Sequence, residues 1–200
     1  FIYRIQSHLD SKNYFKYELQ NKVIDIYAPN EIIKWRYDTI FSKEPETIEW
    51  INDFEKNTDL TFWDIGANVG IYSLYAALRH DNLKIVAFEP STSNLRVLSR
   101  NISINNLENK IFINQLPLFD KENRFQIMSE GDFVEGSALN AFSVNYGYDG
   151  KEFKPQNSYK LLGTSINFLL ENKILNLPNY IKIDVDGIED LILKGGDKFL

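Results

Sequence analysis

The chain has 200 residues, 44% hydrophobic and 25% charged, the balance of a globular domain with room for a sizeable core rather than of a disordered segment. A net charge of -6 argues against a nucleic-acid partner, whose phosphates call for a basic footprint. With no cysteine there can be no disulfide, thiolate metal site or cysteine nucleophile, the expected localisation is cytoplasmic, and no stretch approaches the ~18 consecutive apolar residues of a membrane span.

The chain opens on Phe1-Ile-Tyr-Arg-Ile5 without an initiator Met or a signal-peptide pattern and stops at Gly195-Gly-Asp-Lys-Phe-Leu200 without a polar tail, so both ends read as cut from a longer protein. Residues 13–28 read as a hairpin. Phe15, Tyr17 and Leu19 alternate with Tyr14, Lys16 and Glu18, Ile24 and Ile26 alternate with Val23, Asp25 and Tyr27, and Asn21-Lys22 forms the turn. Ile32, Ile33, Trp35, Arg36 and Ile40 have helical spacing, as do Ile48, Trp50, Ile51 and Phe54. From residue 60 the rhythm is strand (60–64), helix (69–78), strand (84–88), helix (95–104), strand (110–116), which predicts a parallel sheet with crossover helices. Residues 120–160 are less regular. A strand is expected at 125–128, and 130–150 reads as a long loop of the kind that carries substrate or forms a lid. A helix (164–172), a buried strand (180–184) and the start of a helix (188–193) follow.

In an open α/β sheet ligands bind at the carboxyl ends of the strands. After the first parallel strand comes Asp64-Ile-Gly66-Ala67-Asn68-Val-Gly70. Two glycines allow a tight turn and close approach, and the following helix points unpaired N–H groups at it. The G-x-x-x-G spacing puts Asn68 where a dinucleotide fold needs glycine for its pyrophosphate, and Asp64 would repel one. The turn suits a smaller zwitterionic group, such as the amino-acid end of S-adenosylmethionine. After the second strand, Glu89-Pro90 offers an acid for both ribose hydroxyls. Trp35, Trp50 and Trp63 read as packing residues, His8 and His80 as surface or capping residues, with His80 a favourable cation at a helix end; Tyr146 and Tyr148 are candidates for stacking on a sugar.

Phe62-Trp-Asp-Ile-Gly-Ala-Asn-Val-Gly-Ile-Tyr-Ser73, Val86-Ala-Phe-Glu-Pro90 and Ile181-Lys-Ile-Asp-Val-Asp-Gly-Ile-Glu189, in this order, resemble the FkbM-type methyltransferases from about residue 60 to 200. The resemblance implies an α/β class I methyltransferase (Rossmann-like) fold, a mostly parallel sheet with helices on both faces. The hairpin and helices of residues 1–58 would pack on a cofactor-binding domain at 59–200 that lacks the family's last two strands. It implies S-adenosyl-L-methionine as cofactor, held by Asp64, Gly66, Ala67, Asn68, Gly70, Glu89, Pro90, Leu116 and Asp184. It also implies O-methylation of a sugar, glycan or natural-product hydroxyl. Pro117-Leu-Phe-Asp120 and Ile166-Asn167 depart from the family's Ala-Leu-Ser-Asp and Leu-Asp patterns.

Methyl transfer needs the nucleophile held in line, and a hydroxyl gains from a base. Asp184, at a strand end, is the first candidate for base or positioning group, Asp186 and Glu189 the second. These acids beside Lys182 could instead bind a hard cation or form a salt-bridged helix entrance, but no further ligand is identifiable and no metal is expected. Three other readings stay open: N-methylation, a non-catalytic cofactor-binding or interaction module on the same fold, and, disfavoured by the glycine spacing, a nucleotide-dependent oxidoreductase. The acceptor and the oligomeric state are not readable.

Overall fold

The computed structural model describes residues 10–19, 21–56, 58–147, 149–152 and 154–200. His8 and Tyr148, given roles above, lie outside the described residues. The hairpin is β1 (Tyr14–Leu19) paired antiparallel with β2 (Lys22–Tyr27). Lys22, expected in the turn, is instead the first residue of β2, opposite Leu19, while Asn21 takes a φ of 69° that asparagine tolerates. The second edge of β2 is covered by a helix further along the chain, α5 (Thr92–Ile104). Asn101 accepts from the Tyr27 amide at 2.8 Å, and Asn105 both accepts from the Asp25 amide (3.0 Å) and donates to the Asp25 carbonyl (2.7 Å). Two asparagines four residues apart on one helix face thus stand in for a third strand.

Three short helices follow: α1 (Glu31–Asp38), α2 (Ile40–Lys43) and α3 (Pro45–Asn52). Asn30 caps α1 by accepting from the Ile33 amide at 3.0 Å, and Pro45 opens α3 at a position where its missing N–H costs nothing. Ile33, Tyr37, Ile40, Ile48 and Ile51 turn inward. Trp63 is fully buried as expected, but Trp35 is 50% exposed, with Lys43 over its ring, and Trp50 lies at the margin, edge-on to Phe54, Phe62 and Tyr180.

The main sheet is four strands, β3 (Leu60–Ile65), β4 (Leu83–Phe88), β5 (Ile111–Asn114) and β9 (Tyr180–Ile183), all parallel, in the order β5-β4-β3-β9. β3 and β4 are almost continuously apolar because both faces are covered. On one face Phe62 and Ile85 pack with α4 (Ile71–Arg79), α5, the hairpin and α1–α3. On the other, Trp63 and Phe88 pack with α6 (Ile166–Glu171) and α7 (Glu189–Lys194). β5 ends two residues before the expected boundary because the Asn114 side chain accepts from the Leu116 amide (2.9 Å) and turns the chain.

The irregular middle contains a second sheet: β6 (Arg124–Glu130), β7 (Asn140–Phe142) and β8 (Asn157–Gly163), antiparallel in the order β7-β6-β8. Of these the sequence predicts only part of β6. β7 has three residues, too few for alternation to register, and β8 reads NSYKLLG, whose strand character comes from its partner. His80, expected as a surface cation, is buried at the end of α4, its Nε2 2.7 Å from the Ile51 carbonyl oxygen and its ring stacked on Phe54. Burial lowers its pKa and favours the neutral ring.

The Asn101 side chain is fully buried and satisfies a buried backbone donor. Asn101→Ala is expected to destabilise the protein by about 1–3 kcal/mol, the cost of stranding such a donor, read as a lower urea midpoint at unchanged slope.

Candidate active site

β3 has β4 on one side and β9 on the other, so the sheet changes winding direction there, and two cavities open at these carboxyl ends. They share Gly66, Asn68 and Asp184. The larger encloses about 640 Å³, mouth included, within the range of small-molecule sites. Its lining is largely apolar (Phe88, Leu118, Met128, Phe142), with Glu89, Asn94 and Asp186 as polar members. The smaller, about 460 Å³, lies against the first turn of α4 and takes Arg36, Lys43 and Glu44 from α1 and the α2–α3 junction, with Tyr72 and Lys182.

The turn between β3 and α4 hangs on β4: the amides of Gly66 and Ala67 both donate to the Phe88 carbonyl at 3.0 Å. Gly66 has φ 84°, and a Cβ there would lie 2.0 Å from the Asp184 carbonyl oxygen, so only glycine lets the ends of β3 and β9 meet. Asn68, at φ 52°, closes the turn by accepting from the Val69 amide at 2.9 Å.

Glu89 is buried and clamps this turn. Its Oε2 accepts from the Asn68 amide (2.7 Å) and its Oε1 from the Ser91 amide (2.8 Å). Desolvation nevertheless pushes its carboxyl up to about 7 against the pull of those amides and of Asn94. Asp64 is buried beneath the turn and lines neither cavity. Its Oδ2 accepts from the Ser73 hydroxyl (2.6 Å), its Oδ1 has no partner among the described residues, and burial raises its pKa despite the Lys182 charge. Asp184 extends from the end of β9 with its side chain 58% exposed and accepts from Lys182 Nζ at 2.7 Å, while that ammonium sits 4.8 Å from the Tyr72 ring centre. Asp186 accepts from the Asn140 amide at 2.9 Å, and burial holds its carboxyl above the usual range.

Of the residues singled out in the sequence, Gly66, Ala67, Asn68, Glu89, Pro90, Leu116, Asp184 and Asp186 line one or both cavities. Gly70 and Glu189 line neither. Gly70, at φ 87°, starts α4 against Leu98, and Glu189 lies in the first turn of α7. Among the described residues no group of three or more acids and histidines is placed to hold a metal ion. The departures at Pro117 and Asn167 have local structural roles. The Pro117 carbonyl accepts from the Thr164 amide, and Asn167 donates to Asp197 at 2.7 Å.

A loop within the stretch expected at 130–150 and the helices expected around 32–40 and 95–104 are present, but sequence reasoning missed that residues 131–139 form a strap tied to those helices and to the β3–α4 turn. Gly136 donates its amide to Asn94 (2.8 Å), the Ser137 carbonyl accepts from the Asn68 side chain (3.0 Å), and the Gly136 carbonyl accepts from Arg36 Nε (2.7 Å). Nothing local marks these partners, which lie 42 to 100 residues away.

Glu89 binds its proton more tightly folded, at about 7, than at its ordinary value of 4.5. Its contribution to stability is therefore complete below the unfolded pKa and is lost as pH rises through the folded one. The stability of wild type relative to Glu89→Gln, which cannot ionise, should fall by on the order of 2 kcal/mol between about pH 4.5 and pH 8. Urea denaturation at both pH values measures it, and a constant difference would mean the carboxyl titrates normally.

Residues 64–200 match the Methyltransferase FkbM domain. Methyltransferase sdnD of Sordaria araneosa is 28% identical over 158 residues, 68% of this chain and 60% of that protein, so the chain spans less than two thirds of the relative's length. Among solved structures, a SAM-dependent methyltransferase from Agrobacterium tumefaciens is similar at 16% identity, over 52% of this chain and 32% of that one, with a TM-score of 0.39. TYW2 of P. horikoshii, in complex with MeSAdo, is similar at 17% identity over 52% and 36%, with a TM-score of 0.38. With well over half of its length inside the matched domain, the chain belongs to the FkbM methyltransferase family.

Proposed function

We propose that the protein is an S-adenosylmethionine-dependent methyltransferase that methylates a hydroxyl of a sugar, glycan or natural product. The observation that carries this reading is the position of Asp184, a solvent-reachable carboxylate on the wall common to both cavities. The residues fit the cofactor. The apolar lining suits an adenine, and Leu116 and Pro90 belong to it. Glu89 lines the larger cavity, and with two backbone amides and Asn94 as donors its carboxyl retains acceptor capacity for a ribose hydroxyl. Asp64, beneath the Gly66–Gly70 turn, adds negative charge below the site without lining either cavity.

When bound, the cofactor supplies a methyl carbon activated by its sulfonium. The chain's own part is to hold the acceptor hydroxyl in line and to accept its proton at Asp184, which Lys182 orients. Asp186, fixed by the Asn140 amide, is a second positioning group, and Glu189 would act only through the start of α7. A hydroxyl favours such a base more than an amine does, which supports O- over N-methylation.

Calorimetric titration with S-adenosylmethionine, its demethylated product and NAD tests the cofactor; micromolar binding of the first two and none of NAD is expected. Glu89→Ala should weaken that binding, whereas Asp184→Asn should preserve it and slow transfer by about 10²–10⁴-fold. Equal loss of binding in both variants would refute this division of roles.

A further inference from the structure

The smaller cavity carries three cations, and two of them already have a carboxylate. Lys182 is 2.7 Å from Asp184 and Lys43 is 3.2 Å from Glu44, whose other oxygen accepts from the Tyr72 hydroxyl at 2.8 Å. Arg36 has none. Its one hydrogen bond among the described residues runs from Nε to the Gly136 carbonyl (2.7 Å), which leaves both terminal nitrogens of a half-buried guanidinium without a protein acceptor. A guanidinium withdrawn from water calls for an anion, and a planar carboxylate matches its two-nitrogen fork. Across the same cavity lies the first turn of α4, whose amides have no intrahelical acceptor and likewise favour negative charge. The acids of the wall, Glu44 and Asp184, are each engaged by a lysine. The cavity is thus complementary to a carboxylate, and it joins the larger one at Gly66, Asn68 and Asp184.

We propose that Arg36, contributed by a helix outside the family-matched stretch, is the receptor for the α-carboxylate of the cofactor's methionine half. This rests on the S-adenosylmethionine reading above. It assigns to the N-terminal helices a direct part in cofactor selection, and through Nε it ties the carboxylate to the strap. A ligand bound by the terminal nitrogens holds Arg36 in the rotamer that also anchors Gly136.

The test is calorimetric binding of S-adenosylmethionine and of its decarboxylated analogue to the complete protein. Wild type should prefer the first by about 10–100-fold, the range of a charge-assisted hydrogen bond. Arg36→Gln should abolish the preference by losing affinity for S-adenosylmethionine alone, and Arg36→Lys, which keeps the charge without the fork, should retain part of it. Gly136→Ala separates strap from receptor. Its added Cβ would meet Ile33 at 2.7 Å and loosen the strap that orients Arg36, so it should reduce the preference less than Arg36→Gln does. Equal binding of the two ligands by wild type, or an Arg36→Gln variant that loses both equally or neither, overturns the carboxylate receptor. If wild type binds neither ligand, the cofactor reading falls with it.

Discussion

The site exists because β3 and β9 come together at their carboxyl ends without a side chain between them. The Asp184 carbonyl fills the space that a Cβ of Gly66 would need, and the positive φ of Gly66 turns the chain away at the same point. Both demands fall on one residue, and only glycine meets both. The turn that follows is held by the Phe88 carbonyl and by Glu89, both from the end of β4. Three adjacent strand ends are therefore locked by backbone geometry, and the two cavities are what remains between them.

That lock is made with buried charge. Glu89 and Asp64 are both taken out of water and both resist ionisation, yet neither is surplus. Glu89 satisfies two backbone amides that the turn would otherwise strand, and Asp64 takes the Ser73 hydroxyl at the start of α4. A buried carboxylate with unused lone pairs is costly in the free protein and becomes favourable once a ligand donates to it. Both residues hold the turn and the start of α4 at the cost of their own desolvation.

The parallel part of the fold was legible because its signals are local: near-continuous apolar runs at β3 and β4, helical spacing at α5, and a glycine pair at the turn. Site residues on strand ends could be found by the same logic, and Glu89 and Asp184 do line the cavities. Asp64 was readable as part of the motif but not as a residue beneath the turn, since its depth depends on Ser73 and α4 packing over it. β7 and β8 were illegible because partner strands define them, and Arg36 because nothing in the spacing of α1 separates a cavity-facing arginine from a solvated one. His80 was misread for a related reason: a histidine at a helix end is a cation only if water reaches it, and Phe54 and the Ile51 carbonyl take that place.

The strap is held from three sides, by the N-terminal helices, by α5 and by the β3–α4 turn. Residues 131–139 have few backbone partners of their own; Asn30 reaches the Glu135 carbonyl (2.9 Å), Arg36 the Gly136 carbonyl, and Arg96 the Glu135 carboxylate (2.6 Å). Gly136 in turn lies so close to Ile33 that a side chain there would displace α1. Each element supplies the contacts that fix the other, and between them they wall the side of the site that the strand ends leave open. The strand-end motif alone therefore builds only half of the enclosure. Its other half is set by α1 and by the loop of the antiparallel sheet, segments whose positions are fixed by pairings across as many as 105 residues of chain rather than by any motif of their own.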